Sequence, residues 1–182
     1  MNRMSYSSIK NHFQSIPYDK KCVPINCKEK SKGKCELKGI TSEYIVLKAD
    51  EIETIDASFE KRDQEKAVDC IIFKKEYMQE RKIVLIIELK AKKDYSQDEI
   101  LIKFKNSALR LKKIFKKFNL KLKDHQINFV LLSKYKKKVR YSQRKRKNKK
   151  GKEEKVNSFK FDGKDKIIIN KKCDILIEDV WY

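Results

Sequence analysis

The chain has 182 residues and a mass of 21.8 kDa, room for a single domain rather than two. It carries 47 Lys and Arg against 26 Asp and Glu, a formal charge of +21, with 40% hydrophobic residues to build a core. No stretch approaches the roughly 18 apolar residues of a membrane-spanning helix. Residues 1–10 lack the apolar run of a signal peptide, so a cytoplasmic protein without a membrane partner is expected. Four glycines leave no P-loop or dinucleotide-binding loop.

The charge points to a polyanionic partner, nucleic acid first and an anionic membrane surface second. Its distribution sharpens this, because residues 134–155 hold 13 basic residues and two acidic ones. A like-charged run repels itself, so a flexible basic loop is expected there, one able to follow a phosphate backbone. Lys136, Lys137, Lys138, Arg140, Arg144, Lys145, Arg146 and Lys147 are its candidate nucleic-acid contacts. The bland alternative is a solvated loop in a lysine-rich chain shaped by genome composition.

Residues 1–36 read as an irregular N-terminal segment broken by Pro17, Pro24 and Gly33. The five cysteines, Cys22, Cys27, Cys35, Cys70 and Cys173, are odd in number, and free, partly buried thiols are expected. Cys22, Cys27 and Cys35 with His12 have irregular spacing and no C-x-x-C pair, which speaks against a zinc site. The first strand is expected at 44–48, with a continuation through 52–55 and a charged connection over 56–66. Residues 68–73 form a second strand. Ile83–Ile87 is a β-branched run without polar alternation, the pattern of a central strand buried on both faces.

The clearest helix spans 97–118. Ser96 and Glu99 form a capping box, and Leu101, Phe104, Ala108, Leu111, Phe115 and Phe118 recur at steps of three and four as one core-facing stripe. Lys103, Lys105, Arg110, Lys112, Lys113, Lys116 and Lys117 are expected on the remaining, solvated face. Residues 127–132 form another strand, and 156–182 hold late strands at 166–169 and 175–177. The order gives an α/β (α+β) class: one domain, with a mixed sheet flanked by helices.

The candidate chemistry lies at Glu88-Leu89-Lys90. Alternation puts Glu88 and Lys90 on one face and Leu89 on the other, and a carboxylate at the end of a buried strand is costly unless paired or metal-bound. A hairpin centred on Met78-Gln79 sets Phe73 opposite Val84, Ile71 opposite Ile86 and Asp69 opposite Glu88. Two carboxylates then repel unless a cation lies between them. A hard divalent ion accepts such oxygen ligands, with the Leu89 main-chain carbonyl as a further candidate. A bland alternative makes Asp69 a strand-start residue and Glu88–Lys90 a surface ion pair.

Val68-Asp69 and Glu88-Leu89-Lys90, with the order strand, hairpin, strand, helix, strand over residues 44–132, resemble the PD-(D/E)XK nuclease superfamily. The resemblance implies a restriction-endonuclease-like core, Asp69 and Glu88 as ligands of Mg2+ or Mn2+, and Lys90 as the catalytic lysine. The family's proline before the Asp is Val68 here. An upstream glutamate ligand is left open among Glu43, Glu51, Glu53, Glu60 and Glu65. A helix glutamine found in some subfamilies has no clear counterpart, since Gln97 lies early and Asn106 deep in the helix. The function implied is a metal-dependent nuclease, on DNA before RNA, in a bacterial defence, restriction or repair role, acting alone, as a homodimer or with a partner protein. The rivals are a non-catalytic basic nucleic-acid-binding module and a subunit of a larger complex.

Overall fold

The computed structural model describes residues 8–9, 11–12, 35–41, 44–49, 52, 66–74, 82–91, 95–135 and 158–180. The strands are β1 Leu37–Lys38, β2 Tyr44–Lys48, β3 Cys70–Lys74, β4 Lys82–Lys90, β5 His125–Ser133, β6 Ser158–Phe161, β7 Lys164–Lys172 and β8 Ile175–Leu176. Helix α1, Gln97–Lys117, connects β4 to β5. Six strands form one mixed sheet in the order β2-β3-β4-β5-β7-β6. β4, β5 and β7 are mutually parallel, whereas β2–β3, β3–β4 and β6–β7 pair antiparallel. The architecture is mixed α+β.

β4 lies between β3 and β5, and its apolar run is buried on both faces as expected. Val84 and Ile86 join a core beneath α1, while Leu85, Ile87 and Leu89 join a second core on the opposite face. Among the described residues, that second face is covered by the β1–β8 parallel pair and a 3-10 turn at Ile177–Val180. On the first face, Phe129 of β5 meets Phe104, Phe159 and Phe161 edge-on, with ring centroids 6.0, 4.8 and 5.8 Å away. Each such buried ring contributes roughly 2–3 kcal/mol of transfer free energy. β6 and β7 join through Asp162 and Gly163, both at positive φ (53° and 74°), the pair a tight type I′ turn favours.

Helix α1 begins and ends for local reasons. Ser96 Oγ accepts the Glu99 N–H at 3.4 Å, as the capping box requires. At the other end Asn119 adopts φ 52°, and Leu120 N–H donates back to the Phe115 carbonyl at 2.8 Å, a Schellman closure. The buried stripe is wider than the expected set, since Ile100, Ser107, Arg110 and Ile114 join it, while Leu101 is only partly buried. Arg110 was expected on the solvated face; it is 1% exposed and donates to the Ala49 carbonyl. Lys112 reaches the far sheet edge, 3.3 Å from Asp162 and 5.0 Å above the Phe161 ring.

Three further expectations are corrected. Cys35 and Cys173 form a disulfide, and Cys70 is disulfide-bonded as well, rather than free thiols. The β1–β8 pairing explains the Cys35–Cys173 bond: Leu37 lies opposite Ile175, which brings the two Cα atoms within 5.1 Å. The bond also removes Cys35 from any zinc set; Cys22 and Cys27 lie outside the described residues. β2 does not continue through residue 52, because Ala49 turns and Ile52 is helical and buried. Ile9, in the segment read as irregular, is helical and fully buried in the core under α1.

Candidate active site

The β3–β4 register follows the expected hairpin: Phe73 pairs with Val84, Ile71 with Ile86 and Cys70 with Ile87. The ladder stops one residue short of Asp69, and the Asp69 side chain replaces the next rung. Leu89 N–H donates to Asp69 Oδ2 at 2.6 Å. The N–H and carbonyl of one strand residue leave on the same edge, so the Leu89 carbonyl faces the β3 side as well.

Helix α1 and the end of β2 fix the backbone that presents Asp69. Val68 N–H donates to the buried Ser107 hydroxyl at 3.0 Å, and Asn106 Nδ2 donates to the Lys66 carbonyl at 3.1 Å. Ala49 N–H donates to the Asp69 carbonyl at 3.4 Å, and Arg110 holds Ala49 through its own carbonyl. Asp69 is thus placed by contacts from three directions: β4, β2 and α1.

Glu88 is wholly buried. Its Oε1 accepts from Lys103 Nζ at 2.6 Å and lies 2.7 Å from Lys90 Nζ. Its Oε2 is buried and has no hydrogen-bond partner among the described residues. Lys90 and Lys103 retain 17% and 16% side-chain exposure, so the cluster opens to solvent on their side. Burial and the neighbouring Glu88 charge push the Asp69 carboxyl up to about 7, against the lowering effects of the Leu89 N–H, Lys103 and Lys90. Burial alone would lower the Lys90 ammonium. The hydrogen bond and charge of Glu88, with Asp69 behind them, outweigh it and hold Lys90 above its usual value.

This donor set suits a hard divalent cation. Asp69, the orphaned Glu88 Oε2 and the Leu89 carbonyl are all oxygens, and magnesium binds through one or two carboxylates while keeping several waters. A cation beside Asp69 would also offset the repulsion that raises its pKa. Among the described residues no group of three or more His, Cys, Asp or Glu converges, so the carboxylate set here is two.

The site lies at the carboxyl ends of the parallel strands. Glu88, Leu89 and Lys90 pair with Leu131, Leu132 and Ser133, which pair in turn with Asn170, Lys171 and Lys172. The chain enters the basic segment beside the site, since Lys134 N–H donates to the Lys90 carbonyl at 3.0 Å. Lys136, Lys137, Lys138, Arg140, Arg144, Lys145, Arg146 and Lys147 lie outside the described residues, as do the five candidate upstream glutamates. Asn106 serves the backbone leading into β3, 3.1 Å from the Lys66 carbonyl.

Sequence reasoning missed Lys103, Ser107 and Arg110. One signal was available: Lys103 and Arg110 stand seven residues apart, so they share one flank of the apolar stripe. Comparison of the chain with family models, with curated proteins and with solved structures finds no match.

Proposed function

We propose that this chain is a metal-dependent nuclease with a restriction-endonuclease-like core, hydrolysing phosphodiester bonds of DNA in a bacterial defence, restriction or repair role. One observation supports the reading: two carboxylates and a lysine from β4 and the residue preceding β3 come together at a sheet end, with a buried carboxylate oxygen, Glu88 Oε2, without a hydrogen-bond partner among the described residues. A buried polar atom without a partner costs about 1–3 kcal/mol and calls for an explanation. A ligated cation supplies one.

Asp69, Glu88 and the Leu89 carbonyl would hold magnesium or manganese. When bound, either ion supplies Lewis acidity to a phosphoryl oxygen and an acidified water. In the metal-free site Glu88 and Asp69 hold the Lys90 ammonium above its usual value. Beside a bound ion, Lys90 would orient or activate the attacking water and stabilise charge growing on the phosphoryl oxygens. The basic segment leaving beside Lys90, together with Lys171 and Lys172 at the same sheet end, gives the phosphate backbone a cationic approach. Cutting both strands of a duplex needs two such sites, which a homodimer would provide.

The test is a cleavage assay on plasmid, single-stranded and branched DNA and on RNA, with Mg2+ or Mn2+ and with EDTA. Wild type is run beside Glu88→Ala and Lys90→Ala. Metal-dependent cleavage lost in both variants is the expected result. Nucleic-acid binding retained by all three proteins without cleavage would count against a stand-alone enzyme and favour the non-catalytic module or an enzyme that needs its partner.

A further inference from the structure

Lys103 has no part in the reading above, yet it makes one of the two short contacts to Glu88. Its ammonium comes from α1, a different layer from the strand that carries Glu88 and Lys90. Two ammonium groups share one carboxylate oxygen while the other oxygen has none. Lys90 and Lys103 together already compensate Glu88 from the Oε1 side. A divalent cation on Glu88 would add two positive charges, and like charges in a buried cluster repel strongly. One lysine must then withdraw. Lys90 projects from the same strand face as Glu88, two positions away, whatever its rotamer. Lys103 reaches across from the helix on a flexible four-carbon stem and is partly exposed, so it can leave.

We propose that Lys103 is a positioning residue of the metal site, the resident counter-cation of Glu88 that a divalent ion must displace. It keeps the buried carboxylate compensated in the metal-free protein and competes with the metal for it. Once displaced, its ammonium is released at the mouth of the site. The proposal rests on the metal-binding reading, and the experiment separates the two.

The test is Mn2+ binding to the full chain by calorimetry at neutral pH without nucleic acid, with the metal-induced rise in melting temperature as a second readout. Wild type is compared with Lys103→Met, Lys103→Arg and Lys103→Gln, and Glu88→Gln locates the ion. Removing a charge-assisted hydrogen bond to the carboxylate should tighten Mn2+ binding about tenfold to a hundredfold in Lys103→Met. Lys103→Arg should stay close to wild type, and Glu88→Gln should lose binding. Should Lys103→Met fold poorly, Lys103→Gln keeps a neutral donor to Glu88 and should still bind more tightly than wild type. Equal or weaker binding by the folded neutral variants, with wild type still binding, would overturn the role of Lys103 and leave the metal reading standing. No Mn2+ binding by wild type and neutral variants alike would overturn both.

Discussion

The Asp69 carboxyl makes the stability of the metal-free protein fall as pH rises. The unfolded chain releases this proton near 3.8 and the folded chain near 7. Between these values the folded state binds more protons, so the stabilisation is fully present below 3.8 and is lost as pH rises through about 7. Each pH unit in that window is worth about 1.4 kcal/mol, which gives at most about 2.7 kcal/mol between pH 5 and pH 7. Asp69 is only partly buried, and solvent screening brings the expected change to about 1–2 kcal/mol. Other carboxylates titrate over the same range, so the quantity to follow is the difference between wild type and Asp69→Asn, whose side chain can still accept the Leu89 N–H. Urea unfolding in EDTA at pH 5 and pH 7 measures it. The gap should move in favour of wild type by about 1–2 kcal/mol at the lower pH. A gap that does not change with pH, or moves the other way, would refute the electrostatic account of the site.

Ser107→Ala should destabilise the fold by about 1–3 kcal/mol, because the Val68 N–H loses its buried acceptor; an unchanged denaturation midpoint would contradict this. Removing the Cys35–Cys173 bond, which joins residues 138 apart, should cost about 2–5 kcal/mol, read as a lower urea midpoint for a Cys35→Ser, Cys173→Ser double variant than for wild type without reductant; equal midpoints would contradict this.

The legible features were those with a local signature. The β-branched run of β4 announced a strand buried on both faces, and the spacing of 68–73 against 83–88 was enough to set the hairpin register. The capping serine and apolar stripe marked α1 nearly to the residue. Asp69 stands one step outside the ladder because its carboxylate, rather than its backbone, meets Leu89, a choice no periodicity records. Lys103 and Arg110 were hidden by composition: in a chain this rich in lysine, a cation beside an apolar stripe reads as solvated. What makes them internal is the sheet end beneath them, which sequence spacing along the helix does not reveal. The disulfide was illegible for a related reason, since it depends on a parallel pairing between the two-residue strands β1 and β8.

The strand order also sets an order of assembly. β2, β3 and β4 pair as antiparallel neighbours in sequence, whereas β4 meets β5 only after α1 has been made, and β5 meets β7 only after the basic segment. Pairings across long connections form slowly, because loop-closure entropy must be met before the contacts repay it. Asp69, Glu88, Lys90 and Lys103 all belong to the earlier part of the chain, so the site residues are synthesised before β5, β6 and β7. During that interval β4, with its uninterrupted run Ile83–Ile87, has one open edge, and such an edge invites pairing with another chain. Nascent chains stopped before His125 should therefore aggregate, and completion of β5 is the step that closes the sheet at its centre.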